Sequence, residues 1–507
     1  MHWWPWRGFH STGTVSPRGR SNHDVNKILT FFFFELTDVL TFTFHPTQLR
    51  NMEQSPRVPV ELQYLILESA LLLPQADCTG ALPSRSLPFP CNLATVCALW
   101  REVLKKHSEC WTHLVFDVSS KPWIHIGAFS WSKDHNFDVL VFNSQPSLID
   151  AQQEKECASQ IMKALAPHMK RCTYVEFDLI FTSSLPSPLE FFCCEAPILG
   201  GLELNAQIDD WDVGYHYIDN FLGGFEGDIS EKLVMVPGNV WNIAIPGFWF
   251  ILLATHPLTS QWFISFVGYT PTLSITCFSF QEHGNFSVLQ FIDIISWLRT
   301  AGRVVFRNLS LSYPFIKQPI YQRQDCDLES ITFDGVSEDF ISQLYDLVSL
   351  QSFNLISFSR CSIPVMTQQI TSAKLELDRL PEDKSLKNAM EVWSGNKLVL
   401  NACPSFNDDF LSRLDDETES STTPDSVLNS IPAYKLRSLV IHNCEHFSLD
   451  ALFDFMERWF RPLRYIKLFG ASPEPIEDDF RRCWHENNVF LSYQEEEEEE
   501  EDDFEYN

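Results

Sequence analysis

Short segments in which every second residue is large and apolar recur through most of this 507-residue chain. Residues 174–179 (YVEFDL) show the alternation, and residues 436–444 (LRSLVIHNC) are its clearest copy. A period of two predicts β-strands, because successive side chains of a strand point to opposite faces of a sheet. Further predicted strands share the pattern: 137–142, 199–205, 240–245, 273–280, 304–311, 328–333, 350–355, 374–377, 397–403 and 463–469. Helices are predicted between some of them, at 151–168 and 449–459.

Several copies follow L-x-x-L-x-L and then Asn or Cys, which resembles the leucine-rich repeat. Each unit of that family buries its apolar face only against its neighbours, so the units must stack. The spacing here is irregular, about 20–40 residues, where the family's period is shorter. We therefore predict an α/β fold with an irregular leucine-rich-repeat-like solenoid over residues 119–493. A globular α/β domain built from ordinary βα units is the alternative.

A second pattern precedes the strands and predicts an amphipathic helix. Its apolar positions recur at helical spacing: Leu93, Val96, Cys97, Trp100, Val103 and Leu104. Asn92 is the predicted N-cap, and Trp111 is expected to fold back onto the apolar side of the helix.

An earlier short helix is predicted near Pro59, which suits a first helical turn because its missing N–H has no intrahelical partner there. Leu62, Leu65 and Ile66 then fall on one face. Helices this short depend on packing for stability. Their apolar faces must therefore be covered by the rest of the chain or by a partner.

Together these residues resemble an F-box, in the version common among fungal F-box-like proteins. Val58 before the proline and the long insertion 78–90 depart mildly from the family pattern. The resemblance implies docking on the small Skp adaptor of a cullin-based ubiquitin ligase, with a target protein held by the repeat region. The residues that would form or support the docking face are Pro59, Leu62, Ile66, Leu93, Val96, Cys97 and Trp100. The alternative is a repeat scaffold in which these helices are ordinary core and only cap the solenoid.

Composition limits the partners and the compartment. A net charge of −30 argues against a nucleic-acid-binding body, which needs a basic footprint, and against binding to anionic membranes. The 14 cysteines include no C-x-x-C pair and are expected to be buried thiols in a reducing compartment, the cytoplasm or nucleus.

The predicted organisation has four parts. Residues 1–51 are expected to be disordered or a misannotated extension, with Met52 as the natural start, and residues 52–118 form the short helical F-box-like domain. The repeat region follows over 119–493. Residues 494–507 contain nine consecutive acids and are expected to be a disordered tail, which serves solubility or contacts a basic partner.

No enzyme chemistry is predicted. Motifs for phosphate loops, dinucleotides, zinc proteases and nucleophile elbows are absent from the sequence, so we expect no cofactor, metal or catalytic residue. His442, Cys444 and His446 resemble a metal cluster, but a structural zinc site needs four ligands and no second pair lies nearby. Asp209 and Asp210 are predicted to lie in a polar loop.

Overall fold

A computed structural model describes most of the chain beyond residue 89. The chain divides into two compact units, Met1–Leu73 and Pro74–Asn507, and every described residue belongs to the second. The described residues are 90–96, 98–119, 126–145, 150–210, 233–235, 239–282, 286–298, 302–314, 324–325, 328–349, 351–366, 369–412, 436–459, 463–470, 473, 477–487 and 489–494.

The centre of this unit is a 14-stranded sheet in which every pairing is parallel. The strands lie side by side in chain order: β1 (His113–Asp117), β2 (Phe137–Phe142), β3 (Cys172–Phe181), β4 (Gly201–Ile208), β5 (Asn242–Pro246), β6 (Thr272–Phe280), β7 (Arg303–Leu311), β9 (Ser330–Asp334), β11 (Gln351–Ser359), β12 (Thr371–Asp378), β13 (Lys397–Asn401), β14 (Ser438–His442), β15 (Tyr465–Phe469) and β16 (Phe490–Gln494). Two short strands, β8 (Gln324–Asp325) and β10 (Val348–Ser349), pair separately.

Parallel neighbours cannot be joined by a hairpin, so crossover segments carry the chain from one strand to the next. The described residues form twelve helices: α1 (Cys91–Val96), α2 (Ala98–Leu104), α3 (Ala128–Trp131), α4 (Ala151–Leu165), α5 (Pro188–Phe192), α6 (Gly247–Thr255), α7 (Ser260–Gly268), α8 (Val288–Ser296), α9 (Glu338–Leu347), α10 (Asp383–Val392), α11 (Leu449–Trp459) and α12 (Glu477–Asn487). Turns of 3₁₀ helix lie at Ser108–Cys110, Ala166–Arg171 and Thr182–Ser184. None of the helices in these ranges is long and apolar enough to cross a bilayer.

The core lies on one face of the sheet, where thirteen of the fourteen strands contribute two buried apolar side chains and β16 contributes one. The first row is Leu114, Val139, Val175, Leu202, Ile243, Leu273, Val304, Ile331, Ile356, Leu375, Leu398, Leu439, Ile466 and Leu491. The second row is Phe116, Val141, Phe177, Leu204, Ile245, Ile275, Phe306, Phe333, Phe358, Leu377, Leu400, Ile441 and Leu468. Helix α8 packs on these rows through Phe291, whose ring lies 5.6 Å from that of Phe306. Burial of this apolar surface is the dominant stabilising term.

Most of the later strands end or bend at a residue with left-handed backbone geometry. These residues occupy one register position on eight successive strands: Cys277, Asn308, Gly335, Arg360, Arg379, Ala402, Asn443 and Gly470. The N–H of Arg360 donates to the carbonyl of Asp378 on the next strand at 2.9 Å, and the N–H of Ala402 to that of His442 at 2.8 Å. From β9 onwards the chain leaves the sheet after this residue, whereas β6 and β7 stay paired beyond it, as far as Phe280 and Leu311.

The next position along is often a cysteine that faces the core. Cys361, Cys403 and Cys444 are at most 1% exposed. The Cys403 thiol lies 3.2 Å from the Leu377 carbonyl of the preceding strand, and the Cys361 thiol lies 3.0 Å from the Ser359 carbonyl. Eight of the ten described cysteines are buried: Cys91, Cys110, Cys157, Cys172, Cys277, Cys361, Cys403 and Cys444.

The predicted α/β class is confirmed. Each predicted strand overlaps a strand of the main sheet, and the predicted helices correspond to α4 and α11. Helix α4 buries Cys157, Ile161 and Leu165, as the spacing predicted, and Asp150 caps it by accepting from the Gln153 N–H at 2.8 Å. The prediction that Asn92 is an N-cap is wrong, because α1 already begins at Cys91. The sheet runs from His113 to Gln494, whereas the repeats were predicted to span 119–493.

Candidate interaction surfaces

The seven residues predicted to dock on the Skp adaptor are only partly described. The side chains of five of them lie outside the described residues: Pro59, Leu62, Ile66, Val96 and Cys97. Leu93 is half-buried on α1, and Trp100 on α2 is only 8% exposed. Of these two, Trp100 could support a docking face from beneath, and Leu93 is the one that a partner could touch.

The end of α2 is joined to the beginning of the sheet region by two tryptophans. Trp111 is fully buried and donates from Nε1 to the Leu104 carbonyl at 2.9 Å, so it folds back onto the helix as predicted. Its ring meets that of Trp131 on α3 edge to face, with centroids 4.8 Å apart. The Lys105 ammonium lies 4.9 Å from the same Trp131 ring. The helical segment is therefore joined to the first strand–helix unit by aromatic packing.

The second face of the sheet carries mostly polar residues, and we call it the polar face. On β3 its members are Tyr174, Glu176 and Asp178. The positions on the other strands that pair in register with Tyr174 form the first row of the polar face. Those in register with Glu176 form the second row, and those in register with Asp178 form the third. Because the sheet is parallel and in register, residues far apart in the sequence become neighbours along each row.

Four polar side chains converge at the β3–β5 end of this face. Glu203, in the second row on β4, accepts hydrogen bonds from the Tyr174 hydroxyl, from Asn242 Nδ2 at 2.6 Å and from Asn205 Nδ2 at 3.2 Å. The Asn205 Oδ1 atom is buried and has no hydrogen-bond donor among the described residues. The Glu203 carboxylate is thus fixed by three hydrogen bonds, and the Asn205 side-chain oxygen can accept a further one.

Two further carboxylates lie beside this cluster on β3. Burial raises the pKa of Glu176 to about 7, and repulsion from Glu203 and Asp178 adds to the increase. Burial also raises the pKa of Asp178, partly opposed by the Arg307 guanidinium on β7. The β3–β4 end of the polar face therefore holds negative charge that its own neighbours only partly compensate.

Two aromatic rings cover the beginning of β4 next to these carboxylates. The ring of Tyr174 lies over Gly201 and that of Trp241 lies over Gly200, so close that a Cβ at either glycine would collide with the ring. The ring centroids are 6.4 Å apart, and Trp241 is 56% exposed. An exposed ring beside carboxylates is an arrangement that can bind a cationic side chain.

In the third row of the polar face, further along the sheet, an acidic side chain is paired with basic ones. Asp334, whose side chain is 14% exposed, accepts from Arg307 Nε at 3.2 Å and from Arg360 Nη2 at 2.6 Å. Asp378 accepts from Ser359 Oγ at 2.6 Å and from Asn401 Nδ2 at 2.8 Å. This polar network ties neighbouring strands together across the face.

His442 and Cys444 make contacts within the fold. The Cys444 thiol faces the core 3.4 Å from the His442 carbonyl, and burial raises its pKa to about 12. The His442 ring stacks on Phe469 with centroids 4.5 Å apart. No group of three or more His, Cys, Asp or Glu side chains that could hold a metal occurs in the described part of the chain.

Asp209 and Asp210 follow β4 in a polar connection, as predicted, and accept hydrogen bonds from strand β6 and from the 3₁₀ turn Thr182–Ser184. Asp209 Oδ2 accepts from the Ser279 N–H at 2.9 Å, and Asp210 Oδ1 accepts from the Ser183 N–H at 2.8 Å.

No family model matches the chain, and no curated protein matches it either. Sequence analysis missed the cluster around Glu203. The signal available was the alternation in residues 174–179 and 201–205, which places Tyr and acidic side chains on the face opposite the apolar ones.

Proposed function

We propose that this chain is a substrate-recruiting adaptor of a cullin-type (Skp/cullin/F-box) ubiquitin ligase in the cytoplasm or nucleus. The F-box-like helices bind the Skp adaptor, and the sheet region holds a target protein. The chain then acts by proximity, because it raises the effective concentration of target lysines near the ubiquitin-conjugating enzyme. It supplies no reactive group of its own.

The strand arrangement supports the second half of this proposal, an irregular leucine-rich-repeat-like solenoid. Fourteen parallel strands follow one another in chain order, and thirteen of them place two apolar residues in the core. Eight of them share the left-handed position, and three cysteines follow it where the repeat pattern has Asn or Cys. Such units bury their apolar faces only by stacking.

The polar face supports the role of a platform for a target. It combines the exposed Trp241 ring, the Tyr174 ring and the carboxylates of Glu176, Asp178 and Glu203 within three neighbouring strands. Exposed aromatic residues with nearby hydrogen-bonding groups are typical of protein-binding hot spots.

The test is capture of the purified full-length chain by the Skp adaptor. Leu62→Ala/Ile66→Ala should weaken binding at least tenfold, because both residues lie on the predicted docking face. Leu289→Ala is the matched control, since this leucine on α8 is 52% exposed and belongs to another part of the fold. Trp100→Ala is unsuitable, because truncating a buried tryptophan costs about 3–5 kcal/mol of stability. A folded wild-type chain that captures no adaptor contradicts the proposal.

A second role is favoured by one observation, the contacts that join the end of α2 to the sheet region through Trp111 and Trp131. The helices would then cap the first strand of a repeat scaffold, as stacked repeats require. This role predicts no binding to the Skp adaptor. It also predicts that Trp111→Ala lowers the midpoint of urea unfolding, because the ring's contacts with α2 and α3 are lost.

A further inference from the structure

Basic side chains gather where four neighbouring strands, β12 to β15, begin. Lys374 and Lys397 are adjacent in the first row of the polar face, and Lys467 lies in the second row on β15. Arg437 and Arg464 directly precede β14 and β15, and the Arg464 N–H donates to the Arg437 carbonyl at 2.9 Å. We call these five residues the basic patch.

The patch is unusual in a chain with a net charge of −30. The surroundings of the patch comprise the first two rows of β12–β15 and the residue before each of these strands. Among these described positions one side chain is a carboxylate, that of Glu376. It pairs with Lys374, with Nζ and Oε1 2.5 Å apart. Arg437 and Arg464 are exposed, whereas Lys397 and Lys467 are half-buried. These positions of the sheet therefore hold five basic residues and one acidic residue.

The most acidic segment of the chain follows the neighbouring strand. Strand β16 pairs with β15 and ends at Gln494, and residues 495–503 are nine consecutive acids. Strands are about 4.8 Å apart, so β12 lies about 19 Å from β16 across the sheet. Measured along the strands from the level of Gln494 towards their beginnings, the patch lies about five residues, or about 16 Å, away. A direct path to its far side is thus about 25 Å, and nine extended residues span about 30 Å.

We propose that residues 495–503 lie across the basic patch, so that the chain's own acidic segment occupies the β12–β15 part of the polar face. Tethering gives the segment a high effective concentration at the patch. A target with an acidic segment would have to displace it. The contact itself does not depend on the adaptor function.

Carbodiimide cross-linking of the full-length chain, followed by mass spectrometry, tests the contact because it joins a carboxylate to a lysine amine without a spacer. Cross-links from residues 495–503 should concentrate on Lys374, Lys397 and Lys467. Exposed Lys155 on α4 is the matched control and should give at least fivefold fewer. Raising NaCl from 0.05 M to 1 M should reduce the patch cross-links several-fold, because the Debye length falls to about 3 Å and the attraction between the segment and the patch is screened.

Two variants and a mixing control complete the experiment. Replacing the nine acids by Gln and Asn removes the reactive carboxylates, so this variant identifies which cross-links come from the segment. Arg437→Glu/Arg464→Glu should reduce them at least threefold, with circular dichroism reporting that the variant is folded. Light and isotope-heavy chains are mixed to separate contacts within one chain from contacts between copies. Absent links, links spread equally to Lys155, or links mainly between light and heavy chains would each overturn the proposal.

Discussion

The carboxyl group of Glu176 should make the stability of this protein depend on pH in a direction opposite to that of an ordinary surface acid. Its pKa rises from the ordinary 4.5 to about 7, first because it is buried and then because Glu203 and Asp178 repel its charge. The folded state therefore binds this proton more tightly than the unfolded state. The stabilisation is fully present below about pH 4.5 and is lost as the pH rises through about 7. At about 1.4 kcal/mol per pH unit, the difference between 4.5 and about 7 corresponds to a loss of about 3 kcal/mol.

Glu176→Gln removes the titrating group and keeps the shape of the protonated side chain. We expect the variant to be within about 1 kcal/mol of the wild type near pH 5 and to be more stable by about 3 kcal/mol near pH 8.5. The assay is urea unfolding at both pH values, with the difference in midpoint converted through the slope of each transition. Glu376→Gln is the matched control. It lies in the same row on β12 but pairs with Lys374, so removing it should give no gain at either pH.

The pH dependence of the difference decides the outcome. If Glu176→Gln changes stability by the same amount at both pH values, burial and charge repulsion do not govern this carboxyl. If Glu376→Gln raises the free energy of unfolding near pH 8.5 by as much as Glu176→Gln does, the stabilisation comes from lowering the net negative charge of the chain. It would then not come from the carboxylate cluster on β3 and β4.

Three further changes test the packing and the backbone by urea unfolding. Glu154→Ala should cost about 3–5 kcal/mol, because this fully buried carboxylate accepts bonds from two backbone N–H groups and one Asn side chain; a cost below about 1 kcal/mol would contradict this. Phe291→Ala should cost about 3–5 kcal/mol, whereas Leu289→Ala, exposed on the same helix, should cost less than about 1 kcal/mol. Gly335→Ala should cost about 1–2 kcal/mol, because φ is +62° and a Cβ would lie 2.5 Å from an amide oxygen. Ala402→Gly, at φ 45°, should be neutral or slightly stabilising; equal losses at both sites would contradict the backbone argument.

Strand positions were predictable because the core rows alternate with polar residues over short distances. Residues 137–142 were predicted as a strand, and β2 spans Phe137–Phe142. The prediction of helix 449–459 likewise matches α11, whose apolar residues recur at helical spacing. In both cases one face is apolar and the other polar, so the period shows directly in the sequence.

The elements that were not predicted lack such a period. Helix α6 has the sequence GFWFILLAT, and every residue from Gly247 to Ala254 is buried, so no polar side marks it as a helix. Helix α5 has five residues, too few to show a helical repeat. Strand β1 follows directly after the 3₁₀ turn Ser108–Cys110 and was included in the helical segment.

The carboxylate cluster could be predicted only in part for a different reason. Alternation in β3 puts Tyr174, Glu176 and Asp178 on one face. It cannot show that Asn242, 39 residues after Glu203, donates to that glutamate. That contact depends on the register between β4 and β5, which pairs Gly201 with Asn242. Register is a property of the assembled sheet and is not written in either strand alone.

Irregular spacing in the sequence does not conflict with the regularity of the sheet. Strands β12 and β13 are joined by residues 379–396, and β13 and β14 by the much longer segment 402–437, yet both pairs keep the same register through five residues. Lengthening a connection costs little, since the entropy of closing a loop grows only slowly with its length. In eight of the strands the recurring unit is therefore a paired five-residue segment with two apolar positions, followed by a left-handed bend. A search for a fixed period overlooks such a unit, and a search for the strand and its bend finds it.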